Sequence, residues 1–357
     1  MEEKYLVDIC NPKQWKTIPK SELIEDGEFP VYGANGIIGR YNKYNHEKPT
    51  VLITCRGATC GNIHITVPQS YINGNAMSLD DLNESKCKKE YLYYFLKYYD
   101  LSKIISGTAQ PQITINGLKK VKVKLYSIEK QEKIVDELNK INKVISLKKN
   151  QLEELSSFIK SQFVEMFGDP IINEKNWNVD TIKNVAPRTK YVGKFDAKVW
   201  ILNLDMIESG TGNIIEYMYE DLEKIKSSTC TFNEEYVLYS KLRPYLNKVV
   251  VPIRKGYATS EMIPLKPDIT RVEKQFLAYL LRSEQFVNYI SLKTIGAKMP
   301  RVSMEIFMKF NLILPPLSLQ NQFSEIVKQI DKQKFEIEKS LKETQELYES
   351  LMEKYFG

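Results

Sequence analysis

The chain has 357 residues, 43% of them hydrophobic and 27% charged, with a formal net charge of +6. No apolar run approaches the roughly 18 residues that span a bilayer, and the opening MEEKYLVDICNPKQW is acidic and polar where a signal peptide is basic and then apolar. Five cysteines (Cys10, Cys55, Cys60, Cys87, Cys230) form no even disulfide framework, and two histidines (His46, His64) are too few for most histidine-based metal sites, so the expectation is a cytoplasmic protein with reduced thiols, no membrane contact and no metal.

In chain order, residues 1–126 read as a globular segment of short β-branched and aromatic runs broken by Gly, Asn and Pro. Within it VLITCRGATCGNIHIT (51–66) predicts strand, turn, strand, YINGNAMSL (71–79) a further strand, and KEYLYYFLKYYDLSKII (89–105) an aromatic-rich helix. Tyr91, Tyr94 and Tyr98 recur at i, i+3, i+7, the core stripe of an amphipathic helix rather than a stacking platform. A long helix is expected within 127–168, stopped by Gly168-Asp169-Pro170, where glycine supplies the cap and proline cannot continue. The second globular segment (169–316) repeats the order with YVLYSKLRPYLNKVVVP (236–252), YATSEMIPL (257–265) and EKQFLAYLLRSEQFVNYI (273–290). A second long helix within 317–357 follows Pro315-Pro316. Each globular segment is read as α+β with an irregular, mostly antiparallel sheet.

A constant shift of 189 positions superimposes 107–168 on 296–357 without a gap, pairing Gly107 with Gly296, Pro111 with Pro300, Leu125 with Leu314 and Gln131 with Gln320. Both copies carry one heptad. The first runs Ile134, Leu138, Ile141, Ile145, Lys148, Leu152, Leu155, Ile159, Gln162, Met166, and the second Phe323, Val327, Ile330, Lys334, Ile337, Leu341, Thr344, Tyr348, Leu351, Tyr355. Sustained a/d spacing with Glu and Lys between is the pattern of a coiled-coil seam. Chance does not preserve phase and length together, so the helices are expected to pair with each other, antiparallel, around an approximate two-fold axis. At about 1.5 Å per residue, a 38-residue helix spans on the order of 57 Å.

Residues 127–168 hold 7 Lys and 7 acidic residues, and 318–357 hold 6 Lys and 8 acidic residues, so the remainder of the chain carries +8. Basic globular parts suit a polyanion, and neutral helices suit protein. No catalytic constellation survives inspection. Asn11-Pro12-Lys13-Gln14-Trp15 lacks the second proline of the amino-methyltransferase motif, and Ser209-Gly210-Thr211-Gly212-Asn213 lacks the third glycine of a phosphate cradle and reads as a turn. What does fit a function is a set of basic, amide and tyrosine side chains placed twice. Asn35, Arg40, Asn42, Lys43 and Arg56 lie in the first segment, and Lys241, Arg243, Tyr245 and Lys248 in the second. Gln110, Gln112, Lys298 and Arg301 flank Pro111 and Pro300 at the leading edge of the repeat. Arg and Lys pair with guanine and Asn and Gln with adenine in the major groove, while Lys and Tyr hold phosphates.

The order of the two segments, the internal repeat, the phrases FPVYGANGIIG (29–39), GATCG (57–61), YINGNAMSL and YATSEMIPL, the PPLSLQNQFSEIV start of the second helix and the MFGDP and YFG helix ends together resemble the DNA specificity (S) subunit of type I restriction-modification enzymes. The resemblance covers the whole chain. It implies two target recognition domains, each reading half of a bipartite duplex target, with the helix pair acting as a ruler. It also implies that the helices bind two methyltransferase (M) subunits and that restriction/translocase (R) subunits join for cleavage. S-adenosylmethionine, ATP and Mg are expected on those partners, with no cofactor on this non-catalytic chain. The competing readings are a coiled-coil scaffold whose globular ends bind proteins, which predicts no salt-dependent DNA affinity, and an enzyme with an unrecognised active site. Deleting one heptad from the first helix is expected to shift the two domains by roughly 10 Å and change the preferred spacer. Unchanged binding across a series of spacer lengths would refute the ruler.

Overall fold

A computed structural model describes residues 2–34, 36–107, 110–225, 229–296 and 298–357. Contacts divide the chain into two compact units, Met1–Lys149 with Lys339–Gly357, and Asn150–Glu338. Each of the two long helices contributes one half to each unit.

The first unit runs β1 (Glu2–Tyr5), β2 (Asn11–Gln14), β3 (Phe29–Gly33), β4 (Gly36–Tyr41), β5 (Val51–Thr54), β6 (Ile63–Ile65), β7 (Tyr71–Ile72), β8 (Ala76–Asp80), α1 (Lys89–Tyr98), β9 (Ile105–Ser106), β10 (Gln112–Ile113), α2 (Ile115–Leu118), β11 (Lys122–Leu125) and the start of α3 (Ile128–Phe167). The fully buried VLIT run of β5 sits inside an antiparallel sheet of order β2-β8-β5-β6. A second sheet has the order β4-β3-β7, in which β3 and β7 are parallel.

The second unit begins in α3 and continues with β12 (Asn178–Thr181), α4 (Ile182–Val185), β13 (Lys198–Leu202), β14 (Met218–Asp221), β15 (Thr229–Phe232), β16 (Val237–Ser240), β17 (Val249–Val250), β18 (Gly256–Thr259), β19 (Met262–Leu265), α5 (Lys274–Arg282), α6 (Glu284–Ser291), β20 (Thr294–Ile295), β21 (Arg301–Val302), α7 (Met304–Met308), β22 (Asn311–Leu314) and α8 (Leu317–Phe356). Its topology repeats the first. The order β17-β16-β19 corresponds to β6-β5-β8, and β13 pairs antiparallel with β14 and parallel with β18, as β3 does with β4 and β7. Strand β15 is an addition at the edge of that sheet. From β9 and β20 onward every element begins 189 positions after its counterpart.

Four expectations need correction. The strands expected over 71–79 and 257–265 are each two strands in different sheets, because only Tyr71 and Ile72 lie beside β3, and β18 pairs with β13 while β19 pairs with β16. The helix expected over 89–105 ends at Tyr98, where Asp100 captures the Ser102 N–H at 3.1 Å, and Tyr98 is 39% exposed while Tyr91 and Tyr94 are core. The helix over 273–290 breaks at Ser283, whose hydroxyl accepts from the Phe286 N–H at 3.3 Å and caps α6.

Neither long helix contains glycine or proline, so nothing interrupts it, and α3 closes on Gly168 at φ +76°. None of the seam positions is exposed. In the first unit Ile134 and Leu138 are buried with Leu351, with Ile141 and Tyr348 against the same cluster. Tyr355 donates its hydroxyl to Glu137 at 2.5 Å, and Lys148 donates to Thr344 at 3.1 Å and to Ser340. Residue 137 opposite 355 and 148 opposite 344 make the pairing antiparallel, and the polar lapse at Lys148 has its own partners. In the second unit Ile159, Val327 and Ile330 are buried, and Leu155 packs on the same core. Ile145 and Leu341 of the first unit and Leu152 and Ile337 of the second are partly covered. The seam departs from the heptad at the end of α3, where Phe163 and Phe167 are buried rather than Gln162 and Met166, and both rings meet Phe323 at 5.5 Å. There the helix faces a globular core as well as a helix, which widens the apolar stripe.

Gln131 and Gln320 are completely buried. Gln131 accepts from the Lys88 N–H at 2.9 Å and donates to the carbonyls of Lys86 and Tyr126 at 2.8 and 2.9 Å. Gln320 makes the same set, accepting from Glu273 N–H at 2.8 Å and donating to the carbonyls of Arg271 and Pro315 at 3.1 and 2.8 Å. Each amide ties the first turn of a long helix to the start of α1 or α5. Stranding a buried backbone group costs about 1–3 kcal/mol, so Gln131→Leu and Gln320→Leu are each expected to lose about 3 kcal/mol or more in urea unfolding of the full chain; a loss below about 1 kcal/mol contradicts this account.

Candidate nucleic-acid interface

In the first unit, the chain leaving β5 turns through Arg56–Gly61 before β6. Gly57 at φ +91° and Gly61 at φ +99° bracket the turn, with the Cys60 N–H on Gly57 O at 3.0 Å. A β-bridge sets Arg56 against Gln112, and the Ile113 N–H bonds to Cys55 O at 3.0 Å. Arg56 and Gln112 are exposed and line a cleft of about 230 Å³ with Gln14 and Asn116. Burial pushes the neighbouring Cys55 thiol up against the pull of Arg56, so the thiol stays neutral beside the cation.

The second unit builds the same turn 186 positions later, Leu242–Asn247. Arg243 and Asn247 adopt the left-handed conformation at φ 49° and 50° where the first unit has glycines, and the Leu246 N–H meets Arg243 O at 2.8 Å. Leu242 bridges Arg301, the counterpart of Gln112, and the Val302 N–H bonds to Lys241 O at 3.0 Å. Each unit thus joins a tight turn to the leading edge of the repeat in one register.

The expected contact residues fall into two groups. Lys43, Arg56, Gln110, Gln112 and Lys298 are exposed, and Tyr245 stands 54% exposed at its turn. Others are engaged within the fold. Arg40 donates to the carbonyls of Gly27 and Glu28, and Asn42 accepts from the Glu28 N–H at 3.4 Å, so both hold the chain beside the β3–β4 hairpin. Lys248 donates to Leu204 O at 2.6 Å. Arg301 makes a bidentate pair with Glu261 at 3.1 Å, which raises its pKa and offsets its charge. Lys241 is partly exposed, and the Nε of Arg243 is buried without a partner. Asn35 lies outside the described residues. Local sequence could not reveal these commitments, since most partners are remote in the chain.

His46 lies between Asn45 and Asp80 at 2.7 and 2.9 Å; burial raises the Asp80 pKa, but hydrogen bonds from His46 and Ser78 outweigh it and hold the carboxyl below its usual range. The cysteines are free, and burial pushes the Cys10 and Cys87 thiols up to about 12. The Ser209–Asn213 segment is a turn, with the Gly212 N–H on Glu208 O at 3.2 Å. Among the described residues no three metal-ligating side chains gather, and no helix is long and apolar enough to cross a membrane.

A profile described as the type I restriction modification DNA specificity domain matches residues 1–157 and again 174–347. The chain belongs to this family. It is 21% identical to the type I restriction enzyme EcoDI specificity subunit of Escherichia coli, over 97% of this chain and 88% of that one. It is 23% identical to the MjaVIII specificity subunit of Methanocaldococcus jannaschii, over 90% and 85%. The fold matches the S subunit of a type I restriction-modification system from M. genitalium, with a TM-score of 0.66, 14% identity and coverage of 100% and 96%.

An exposed cation with no hydrogen-bond partner among the described residues and one that braces a hairpin should behave differently. Arg56→Ala is expected to leave stability within about 0.5 kcal/mol and to lower the slope of log affinity against log salt for duplex DNA by about 1. Arg40→Ala is expected to lose about 1–2 kcal/mol of stability. Thermal melts and fluorescence anisotropy across a KCl series check both, and an unaltered slope for Arg56→Ala removes it from the interface.

Proposed function

We propose that this chain is the specificity subunit of a type I restriction-modification complex, in which each unit reads one half of a bipartite duplex DNA target. Helices α3 and α8 dock two methyltransferase subunits, and restriction/translocase subunits join for cleavage. S-adenosylmethionine, ATP and Mg reside on those partners, and this chain holds none of them and performs no catalysis. Cytoplasmic location follows from that role.

The observation that carries the reading is the same two-loop arrangement built twice, Arg56 against Gln112 and Leu242 against Arg301. Two weak half-site contacts joined in one chain gain specificity because the second forms at high effective concentration once the first is made. The differing side chains on the matching turns suit two different half-sites. Docking through the helices is supported by large apolar side chains on their outer faces: Leu147 is 57% exposed, Phe158 48%, Phe335 63% and Leu347 51%. Large apolar side chains left exposed on both helices suit contact with protein.

Co-expression with the methyltransferase subunit from the same source, followed by mapping of N6-methyladenine across the host genome, is expected to give one split motif with a fixed gap. A stable complex that leaves no methylation overturns the proposal in favour of a scaffold.

A further inference from the structure

The second unit contains a cavity of about 900 Å³ that the proposed reading leaves unused. It opens beside the α3 residues Ile159 and Phe163 and the α8 residues Asp331 and Lys334, and the ends of α5 and the Leu242–Asn247 turn complete it. Its size is that of sites which enclose a ligand or a peptide side chain. The wall is built for close approach: Gly212 sits at φ +74°, and a Cβ there would lie 1.8 Å from Val249 O and 3.3 Å from the Arg282 guanidinium carbon.

Arg282 gives the cavity its character. Its guanidinium lies 4.9 Å from the Tyr279 ring centroid, and its Nε is buried without a hydrogen-bond partner. Burial pulls its pKa down, and the neighbouring Tyr279 and Asp331 offset this only in part. Asn247 donates to the Arg282 carbonyl at 2.8 Å, but its Oδ1 is buried and unpaired. One donor and one acceptor are thus stranded at the same wall. Leaving a buried donor and a buried acceptor unpaired is unfavourable, because each has given up water without gaining a partner.

The first unit shows what a closed version looks like. Tyr94, 185 positions before Tyr279, donates its hydroxyl to Asn139 at 2.5 Å and accepts from Asn142 at 3.1 Å, where α8 has Asp331 in place of Asn142. Lys97, in the place of Arg282, lies exposed with its amine 4.9 Å from the Tyr93 ring. A neutral network that satisfies itself in one copy has become an open, charged one in the other.

An occupant that completes this wall supplies an acceptor for the Arg282 Nε–H, a donor for the Asn247 Oδ1 and an apolar body. The rim includes Val164, Tyr217, Tyr245 and Ile253, which are 46%, 45%, 54% and 62% exposed. A free inorganic anion would leave that rim wet, whereas a peptide segment offers a backbone N–H, a carboxylate and an apolar side chain together. We infer that this cavity seats a segment of a methyltransferase subunit that places an acidic side chain on Arg282 and an adjacent apolar side chain against Phe163 and Tyr245. The inference rests on the docking reading given above and adds the site and chemistry of one contact. It also assigns Tyr245, expected from sequence as a DNA contact, to the protein side.

The test uses the full chain and its methyltransferase subunit, with assembly affinity read by titration. Arg282→Met is expected to weaken assembly by at least about 30-fold, the low end for breaking a buried charged pair, while Lys97→Met in the first unit leaves it within about two-fold. Wild-type affinity for Arg282→Met overturns the inference and leaves the proposed function standing; no complex with the wild-type chain overturns both. Should Arg282→Met misfold in a thermal melt, a photo-crosslinking residue at Val164 decides. A crosslink to the methyltransferase subunit supports the site, and a crosslink to a second copy of this chain, or none, overturns it.

Discussion

Two buried glutamines hold the architecture in register. Gln131 and Gln320 are each the fourth residue of a 40-residue helix, and each spends its amide on three backbone groups from two other segments. A primary amide can offer two donors and two acceptor sites, so such a side chain fits only where the neighbouring backbone is already in place. The strand before each helix, β11 or β22, is locked to the first strand of its own unit, and the helix after it carries the seam. Strand, helix start and aromatic helix therefore form one cooperative joint in each unit. A buried network of this kind specifies geometry more than it adds net stability.

The joint and the seam are nearly the same in the two copies, and the surfaces built on them are not. At the matching turns, Gly57 becomes Arg243 and Gly61 becomes Asn247, although the backbone keeps its left-handed conformation at all four positions. A Cβ at Gly57 would meet open space, so the second unit carries a side chain where the first leaves a gap. Holding Arg243 in that region costs of order 1 kcal/mol or more, which argues for a role beyond the turn itself. The same divergence separates the closed Tyr94 network from the open Arg282 wall. Duplication preserved what must be shared and freed the rest to differ.

The sequence made the long helices plain because heptad periodicity is a local signal, and Lys148 fitted it once Ser340 and Thr344 were found opposite. The β5–β6 and β16–β17 hairpins were equally legible as apolar runs around turn residues. Less local features were not. The parallel pairs β3–β7 and β13–β18 join segments about 40 and 55 residues apart, and no pattern within either strand names its partner. The break at Ser283 depends on one hydroxyl outcompeting the helix for an N–H. For the interface, residue type and position pointed to the turns, while the glutamate that neutralises Arg301 and the carbonyls that bind Arg40 and Lys248 came from elsewhere in the fold. The Gln131–Gln320 match was visible as an identity, but its meaning was not.

The first unit is assembled from both ends of the sequence, since Leu351, Met352, Tyr355 and Phe356 complete a core that Tyr91 and Phe95 begin, with Phe356 5.4 Å from the Tyr91 ring. On the ribosome the second unit has all its parts before those residues are made. At about 5–20 residues per second, the stretch from Lys149 to Lys339 takes on the order of 10–40 s to synthesise. During that time the aromatic face of α1 has no final partner and is exposed to aggregation or to chaperones. The last turns of α8 are thus a timing element as well as a structural one, and their loss would leave the core around Tyr91 and Phe95 permanently unfinished.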